Sequence, residues 1–514
     1  MLARIRSAAV LGIDAYLVDV ETDISNGLPS FATVGLPVGA VKEGKERVGA
    51  AIGNSEFSFP LKRITVNLAP ADVRKDGSAF DLPIALGILT ATEQIKTNGR
   101  SPSLKDYLIV GELGLEGDVR PVRGALSVAL AARQANLRGV IVPYANLGEA
   151  SVVDGVEVLG VRSLCEVAEF FEGATTLTVG AAQDLDVVLR PTAARLDFAE
   201  VRGQEHAKRA LEVAAAGAHN LLMIGPPGSG KTMLARRLPT IFPAMTLDEA
   251  LETTKIHSVA GILPPGSALA RVRPFRAPHH TISDAGLVGG GSYPRPGEVS
   301  LANGGVLFLD ELPEFRRNVL EVLRQPLEDG CVTISRAATS LCYPARFMLA
   351  AAMNPCPCGY LGSAAQPCTC APLAVERYLS KVSGPLLDRI DIHLHVPAVP
   401  YAELSVDRSG ESSEEICARV DRARSKQVQR FGRTAGLYAN AHMGPRDLEK
   451  FCTISDEADA LLKTAIGRLR LSARAYHRIL KIARTIADLA DMGNVQASHV
   501  SEAVQYRGLD RPRM

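Results

Sequence analysis

The sequence lacks an excess of charge of either sign, and it lacks any long apolar run. Its 57 lysines and arginines nearly balance 56 aspartates and glutamates, which gives a formal net charge of +1. This balance neither supports nor excludes a nucleic-acid partner, since local basic surfaces can exist on a neutral protein. No apolar run approaches the roughly 20 residues that span a bilayer, and the amino terminus lacks the apolar core of a signal peptide. We therefore expect a cytoplasmic protein that makes no contact with a membrane.

Internal repeats and low-complexity tracts are also lacking, so the 514 residues predict two or three ordinary domains. Residues 1–172 alternate strand and helix patterns without a nucleotide motif, which predicts a separate α/β or α+β domain. Residues 173–195 show no clear period and predict a linker. In residues 196–400 the alternation of strands and helices predicts a parallel sheet. Residues 401–514 are helical and predict a lid domain.

Local patterns give the expected elements within these domains. Half-buried strands alternate polar and apolar residues, and helices carry an apolar stripe. In the first domain, this predicts strands at 16–20, 64–68, 108–111 and 140–142, and helices at 41–54, 82–94 and 122–136. In the rest of the chain, it predicts strands at 221–224, 306–309, 331–335 and 348–352, and helices at 205–218, 413–430 and 472–491.

A glycine-rich loop between a buried strand and an amphipathic helix is the strongest motif. The loop follows Leu221–Ile224 and consists of Gly225, Pro226, Pro227, Gly228, Ser229, Gly230, Lys231 and Thr232. Small residues let consecutive backbone N–H groups face phosphates, the lysine meets the β- and γ-phosphate charge, and the threonine hydroxyl can bind Mg²⁺. The motif therefore predicts binding of ATP with Mg²⁺.

A pair of acidic residues ends the next apolar strand. Val306–Leu309 is followed by Asp310 and Glu311. Asp310 is expected to hold Mg²⁺, and Glu311 is expected to orient and deprotonate the attacking water. This pair favours an ATP hydrolase over a nucleotide-binding module. The alternative is a strand followed by an ordinary acidic loop.

Four of the nine cysteines lie together in two C-x-C pairs: Cys356, Cys358, Cys368 and Cys370. Four thiolates on one short segment, 356–370, are typical of a tetrahedral zinc site. A reducing compartment argues against structural disulfides. A redox-active pair and chemically inert cysteines are the alternatives.

Five motifs together resemble a known family. GPPGSGKT, LFLDE, AAMNPCPCG, LLDRIDIH and SARAYHRIL resemble the AAA+ ATPases of the magnesium-chelatase-like branch, and nearly the whole chain resembles its YifB/ComM family. The resemblance implies a ring, usually of six identical subunits, with ATP at each subunit boundary. It also implies that Asn354 is a polar sensor, that Arg389 is an arginine finger for the neighbouring ATP, and that Arg474 is a second sensor. The local alternatives are a capping residue for Asn354, a salt bridge of Arg389 with Asp388 or Asp391, and a solvated helix face for Arg474.

The segment RPFRAPHHT also resembles a family signature, and we expect it in a loop that faces the pore. Arg276, His279 and His280 are its candidates for contact with DNA or for an allosteric role. Metal ligation by the histidines is an alternative, but they are adjacent without i, i+4 spacing, and we expect no nearby carboxylate to complete a ligand set. Local packing is the third interpretation.

A hairpin is expected from Val332 to Tyr343. In related ring motors, the corresponding hairpin points into the central channel. Arg336 near its tip and Arg346 at its base would place cations from each subunit around a DNA strand. The alternative is that these arginines are simply solvated.

The amino-terminal domain resembles the ribosomal-S5-like fold that is also found in the Lon protease domain. When Lys75-Asp76-Gly77 is aligned with the same tripeptide of the protease, Ala79 occupies the position of the nucleophilic serine. Leu126 occupies the position of the protease lysine, and Ser78 is one residue away from the required position. We therefore expect a scaffold or a DNA-binding collar.

The resemblance implies a DNA motor. Such a motor would bind single-stranded and branched DNA, drive branch migration or unwinding, and aid recombination and the integration of incoming DNA in natural transformation. Recombination proteins are the expected partners. One alternative is an ATPase that remodels a protein partner. The other is a magnesium-chelatase-type motor subunit, against which the fused amino-terminal domain and the cysteine-rich segment both count.

Overall fold

The computed structural model describes most of the chain. The described residues are 1–73, 75, 77–96, 102–181, 196–264, 266–291, 294–336, 339–363, 366–399, 410–432, 437–469 and 472–508. They form two compact units, one over Met1–Arg190 with Leu247–Ala270 and the other over Pro191–Thr246 with Arg271–Met514. None of the helices in these ranges combines the length and the apolar character needed to cross a membrane.

The first unit contains two four-stranded sheets, with strand orders β1-β2-β4-β3 and β10-β9-β8-β5. Its strands are β1 (Leu2–Leu11), β2 (Asp14–Ser25), β3 (Ser30–Val34), β4 (Arg63–Ala69), β5 (Tyr107–Ile109), β6 (Glu112–Leu113), β7 (Val119–Arg120), β8 (Gly139–Pro143), β9 (Glu157–Val161) and β10 (Thr178–Val179). Its first helices are α1 (Ala40–Asn54), α2 (Asp81–Ala91), α3 (Ala125–Gln134), α4 (Leu147–Ala150) and α5 (Leu164–Glu172). The strands and helices predicted from sequence for this region are confirmed, with ends that differ by a few residues.

Alternation of side chains explains why the predicted strands form. In β4, the side chains of Ile64, Val66 and Leu68 are buried and belong to the core of this unit, while the residues between them are partly exposed. The helix α2 is instead buried along nearly its whole length, as its continuous apolar sequence predicts.

A helix from a later part of the chain belongs to the first unit. Leu247–Ala260 lies within the range predicted for the nucleotide-binding domain, yet it packs in the first unit. The hydroxyl of Ser258 accepts a hydrogen bond from the Gly124 amide at 2.8 Å and donates to Glu149 at 2.5 Å. Lys255 pairs with Asp14 at 3.0 Å. The domain boundaries read from the sequence stay a prediction, and most of the predicted linker, residues 182–195, lies outside the described residues.

The second unit is built on a parallel sheet of five strands, in the order β12-β15-β18-β11-β19. All neighbouring strands in it run parallel. The strands of this unit are β11 (Leu221–Ile224), β12 (Phe275–Arg276), β13 (Gly289–Gly290), β14 (Arg295–Pro296), β15 (Val306–Leu309), β16 (Cys331–Arg336), β17 (Thr339–Pro344), β18 (Met348–Met353) and β19 (Ile392–His395). The predicted strand 331–335 lies in an antiparallel hairpin of β16 and β17, because β16 pairs with β17 instead of entering the parallel sheet.

Helices connect the strands of this sheet along the chain and make up most of the carboxyl-terminal region. They are α6 (Glu205–Gly217), α7 (Lys231–Arg237), α8 (Leu247–Ala260, the helix of the first unit), α9 (Asp284–Val288), α10 (Glu298–Leu301), α11 (Arg317–Glu321), α12 (Arg324–Asp329), α13 (Pro372–Leu379), α14 (Gly384–Leu387), α15 (Ser413–Phe431), α16 (Pro445–Phe451), α17 (Asp456–Leu469), α18 (Ala473–Leu489) and α19 (Ala497–Gln505). The predicted cap of α18 is confirmed, since the Ser472 hydroxyl accepts a hydrogen bond from the Ala475 amide at 3.2 Å.

Candidate nucleotide-binding and catalytic site

The glycine-rich loop leaves the buried strand β11 and ends where α7 begins at Lys231. Gly228 and Gly230 have positive φ angles of 74° and 86°, which side chains disfavour. A Cβ atom at Gly225 would lie 2.1 Å from the carbonyl oxygen of Val396, so this position also requires glycine. The loop therefore depends on the small residues that the motif supplies.

Lys231 is held inside the loop. Its ammonium group donates hydrogen bonds to the carbonyl oxygens of Gly225 at 2.8 Å and Pro226 at 2.9 Å. The same nitrogen lies 3.3 Å from Oδ1 of Asn354. Burial lowers the pKa of Lys231, and the negative charge of Asp310 partly opposes this shift. The lysine thus connects the phosphate loop with the predicted polar sensor at the end of β18.

The two predicted magnesium ligands contact each other. The Thr232 hydroxyl donates to Oδ2 of Asp310 at 2.6 Å, which joins the start of α7 to the end of β15. A hydroxyl and a carboxylate oxygen beside a phosphate loop form the donor set that Mg²⁺ uses with nucleotide phosphates. The residues present therefore fit ATP with Mg²⁺.

Glu311 and Asn354 face the same cavity. The cavity has a volume of about 720 Å³, and Pro357 and Tyr378 also contribute to its wall. Glu311 has a left-handed backbone with φ of 53°, and its side chain is 59% exposed. The carboxylate is therefore accessible to water in the cavity that Asn354 also lines, and Asn354 lies 3.3 Å from Lys231 of the phosphate loop.

The four cysteines of segment 356–370 converge, with all their sulfurs within 4.8 Å of one another. Sγ of Cys356 is 3.3 Å from Sγ of Cys358 and 3.6 Å from that of Cys368. Four sulfurs bound at about 2.3 Å to one tetrahedral zinc ion lie roughly 3.8 Å apart, so the cluster fits zinc. The cysteine segment also contacts the phosphate loop, because a Cβ atom at Gly359 would lie 2.5 Å from Cδ of Pro227.

We expect the purified protein to contain about one zinc ion per chain. Replacing Cys358 and Cys368 together by serine should remove the metal and lower ATP turnover, because the cysteine segment packs against Pro227. Metal analysis and an ATPase assay on the same preparation measure both effects. Cys417→Ser, in α15, is the control and should keep both the metal and the activity. A fully active wild-type protein without metal would contradict the prediction.

The predicted arginine finger and second sensor each form an ion pair. Arg389 is largely buried, pairs with Glu328, and donates to the carbonyl oxygen of Pro385 at 2.5 Å. Its partner is thus neither Asp388 nor Asp391, the two that the sequence had suggested. Arg474 is exposed and lies 3.3 Å from Asp388. The roles in the ring remain predictions for both arginines.

The residues of the RPFRAPHHT segment make local contacts. Arg276 binds Glu298 through two hydrogen bonds of 2.6 and 2.7 Å, which favours local packing for this residue. The rings of His279 and His280 are 4.1 Å apart. Nδ1 of His280 is 3.8 Å from a carboxylate oxygen of Glu311. Glu311 is thus close to His280, but within the described ranges these residues do not form a set of three or more metal ligands, so the expectation that no carboxylate completes such a set is confirmed there.

The predicted hairpin forms, with Val332 opposite Tyr343. The Tyr343 hydroxyl donates to the carbonyl oxygen of Pro294 at 2.6 Å and anchors the base of the hairpin. Residues 337 and 338 and the side chain of Arg336 lie outside the described part of the chain. Arg346 is exposed at the base, with its guanidinium 5.3 Å from the ring centre of Tyr438. Contact of these arginines with DNA stays a prediction.

In the first unit, the residues compared with the Lon protease do not form a serine–lysine pair. Ser78 donates to Glu112, and the buried Lys75 donates to the carbonyl oxygen of Pro70. Leu126, which occupies the position of the protease lysine, is fully buried. Asp76 lies outside the described residues. Ser78 and Lys75 thus each have another partner, and the role of this domain as a scaffold or a DNA-binding collar stays a prediction.

Sequence patterns missed several residues around the site. Gln204, just before α6, donates to the carbonyl oxygen of Ser229 in the phosphate loop at 2.8 Å. Glu328 holds Arg389, and Arg478 pairs with Asp391. No local motif marks these residues, since each contact joins distant parts of the chain.

Comparison with known proteins agrees with the geometry. Residues 197–404 match the family described as magnesium chelatase, subunit ChlI, residues 20–146 match subunit ChlI of Mg-chelatase, and residues 410–507 match its C-terminal family. The chain is 44% identical to the competence protein ComM of Haemophilus influenzae over 517 aligned residues, covering 99% of this chain and 98% of that protein. It is also 44% identical to the YifB protein of Escherichia coli over 511 residues, with the same two coverages.

Proposed function

The chain belongs to the YifB/ComM family of magnesium-chelatase-like AAA+ ATPases, and we propose that it is an ATP-driven ring motor that moves branched DNA. The catalytic part rests on a chain of contacts around the end of the parallel sheet. Lys231 lies 3.3 Å from Asn354, which lines one cavity with Glu311, and Thr232 donates a hydrogen bond to Asp310, the residue before Glu311. The DNA part rests on the relatives and on the hairpin of β16 and β17.

ATP hydrolysis at this site would follow from the positions of the side chains. Backbone N–H groups of the loop and Lys231 would bind the phosphates, and Thr232 with Asp310 would hold Mg²⁺. When bound, Mg²⁺ neutralises charge on the β- and γ-phosphate oxygens. Glu311 would take a proton from water as the water oxygen bonds to the γ-phosphorus. The bond from that phosphorus to the bridging oxygen then breaks and releases ADP and phosphate.

A ring of six copies would complete the site, as the family resemblance implies. Phosphoryl transfer builds charge on the γ-phosphate, and an arginine from the next subunit can stabilise it. Arg389 is the candidate for this role. Because Glu328 holds its guanidinium within the chain, Arg389 would have to exchange that partner for the neighbour's phosphate.

DNA would be bound through the hairpin of each subunit. A ring of hairpins would surround single-stranded or branched DNA with arginines. One relative is named a competence protein, so we extend the proposal to recombination and to the integration of incoming DNA in natural transformation, with recombination proteins as partners.

The hairpin's part in this function is tested by ATP turnover with a four-strand DNA junction, a linear duplex or no DNA. We expect the junction to stimulate turnover most. Arg336→Ala should remove most of this stimulation and reduce its dependence on salt, because it deletes a phosphate contact from every subunit. Lys463→Ala, an exposed lysine of α17, is the charge-matched control.

Two results would contradict the DNA proposal. One is turnover that no DNA changes, which would favour a motor that remodels a protein partner. The other is full stimulation of the Arg336→Ala protein, which would remove the hairpin from the proposed DNA path. ATP turnover is measured over a series of DNA concentrations at moderate salt, since phosphate contacts weaken steeply with ionic strength.

A further inference from the structure

His280 and Glu311 are brought together by the register of two strands. β12 and β15 are parallel neighbours, with Arg276 opposite Leu307. β12 ends at this pair and β15 ends at Leu309, and the chain reaches His280 and Glu311 four residues beyond Arg276 and Leu307. Adjacent parallel strands deliver their following residues to the same edge of a sheet. The contact of 3.8 Å between Nδ1 and Oε2 is therefore a consequence of the fold.

The imidazole of His280 is held from two sides. It contacts the ring of His279, with the ring centres 4.1 Å apart and the planes tilted by 34°. Its ring also lies edge-on to Phe315, with the ring centres 6.4 Å apart and the planes at 77°. Phe315 is buried and directly follows the short 3₁₀ turn Leu312–Glu314, which begins after Glu311. Edge-to-face pairs of this kind are favourable. The ring is thus fixed to the same turn that carries the carboxylate.

Glu311 needs such a partner. Its side chain is 59% exposed, and within the described part of the chain His280, which is a cation only when protonated, is the basic side chain within 4.0 Å of its carboxylate. A carboxylate free to rotate spends only part of its time directed at the attacking water, and displacement of a catalytic group by about 1 Å can cost a hundredfold in rate. At 3.8 Å the contact with His280 is longer than a hydrogen bond, and hydrogen bonds of catalytic groups are often long or poorly aligned until the substrate binds.

We propose that His280 is a positioning residue that directs the Glu311 carboxylate toward the attacking water in ATP hydrolysis. This inference rests on the role proposed above for Glu311. His280 acts through that carboxylate and needs no contact of its own with ATP. The proposal gives one of the two adjacent histidines a task in the ATPase cycle that does not depend on DNA.

The test compares His280→Ala with His280→Asn in steady-state ATP hydrolysis without DNA. The alanine variant should lower kcat by about tenfold to a hundredfold and leave KM for ATP within about twofold. The asparagine variant should recover part of kcat, because its amide can donate a hydrogen bond to the carboxylate. The control is His206→Ala, which removes a histidine that contacts Tyr506. A lower Tm with a raised KM and no recovery by asparagine would show a merely structural role and overturn the proposal.

A double-mutant cycle separates this inference from the proposed function. In a Glu311→Gln background, His280→Ala should cause no further loss of the residual rate, because both changes remove the same aligned base. An independent loss in that background overturns the positioning role. If Glu311→Gln itself retains full turnover, the catalytic assignment fails instead. If Glu311→Gln is inactive and His280→Ala keeps its kcat, only the positioning role is lost.

Discussion

Glu311→Gln is expected to lower ATP turnover by about 10² to 10⁴, because an amide cannot accept the proton of the attacking water. Binding of ATP should persist, since Lys231, Thr232 and Asp310 remain in place. Steady-state hydrolysis and nucleotide binding measured on the same protein separate these two effects. Lys231→Ala should abolish turnover by another route, because it removes the cation that meets the phosphates.

The control for Glu311→Gln is Glu314→Gln, at the end of the following turn. Glu314 pairs with Lys381 at 3.4 Å and contributes to the same cavity. Glu314→Gln also removes one carboxylate from this cavity, but it leaves Glu311 intact. ATP turnover should therefore stay within a few-fold of the wild type. Unchanged turnover in Glu311→Gln or in Lys231→Ala would overturn the assignment of the site.

Arg389→Ala is expected to lower ATP turnover by about 10³ to 10⁵, the range that an arginine finger supplies. The chain folds with Arg389 bound to Glu328 and to the Pro385 carbonyl. A thermal melt must therefore accompany the assay, because loss of this pair also removes a local contact. A stable, assembled and inactive variant is the expected result.

Mixed rings test whether Arg389 acts on a neighbour. Arg389→Ala subunits retain a complete water-activating site, and Glu311→Gln subunits retain an intact finger. Mixing two nearly inactive proteins should restore part of the turnover at boundaries that combine the two intact halves. Absence of recovery in rings shown to contain both subunits would contradict an action between subunits.

Each part of the predicted nucleotide site could be found in the sequence because its residues are contiguous. The strands before the phosphate loop and before Asp310 end where the patterns predicted, at Ile224 and Leu309. Thr232 and Asp310 follow these two strands, and they meet because both strands belong to the same parallel sheet. The cysteine cluster was readable for a similar reason, since its four members lie within one short segment.

Contacts between distant segments could not be predicted from the sequence, since they depend on the order of the strands in the sheet. His280 meets Glu311 because β12 lies beside β15, and no spacing within either segment reveals that neighbour. Arg389 pairs with Glu328, 61 residues away in sequence, while Asp388 contacts Arg474. Asp388 and Asp391 were the expected partners of Arg389 because they are close to it in sequence. In the structure they pair instead with Arg474 and Arg478 of α18.

The proposed DNA motor is tested most directly by the conversion of a labelled four-strand DNA junction, with the wild type and Lys231→Ala compared at moderate salt with and without ATP. Product that appears only with ATP and an intact Lys231 is the result expected of a DNA motor. Hydrolysis of ATP by a protein that neither binds nor converts the junction would contradict it.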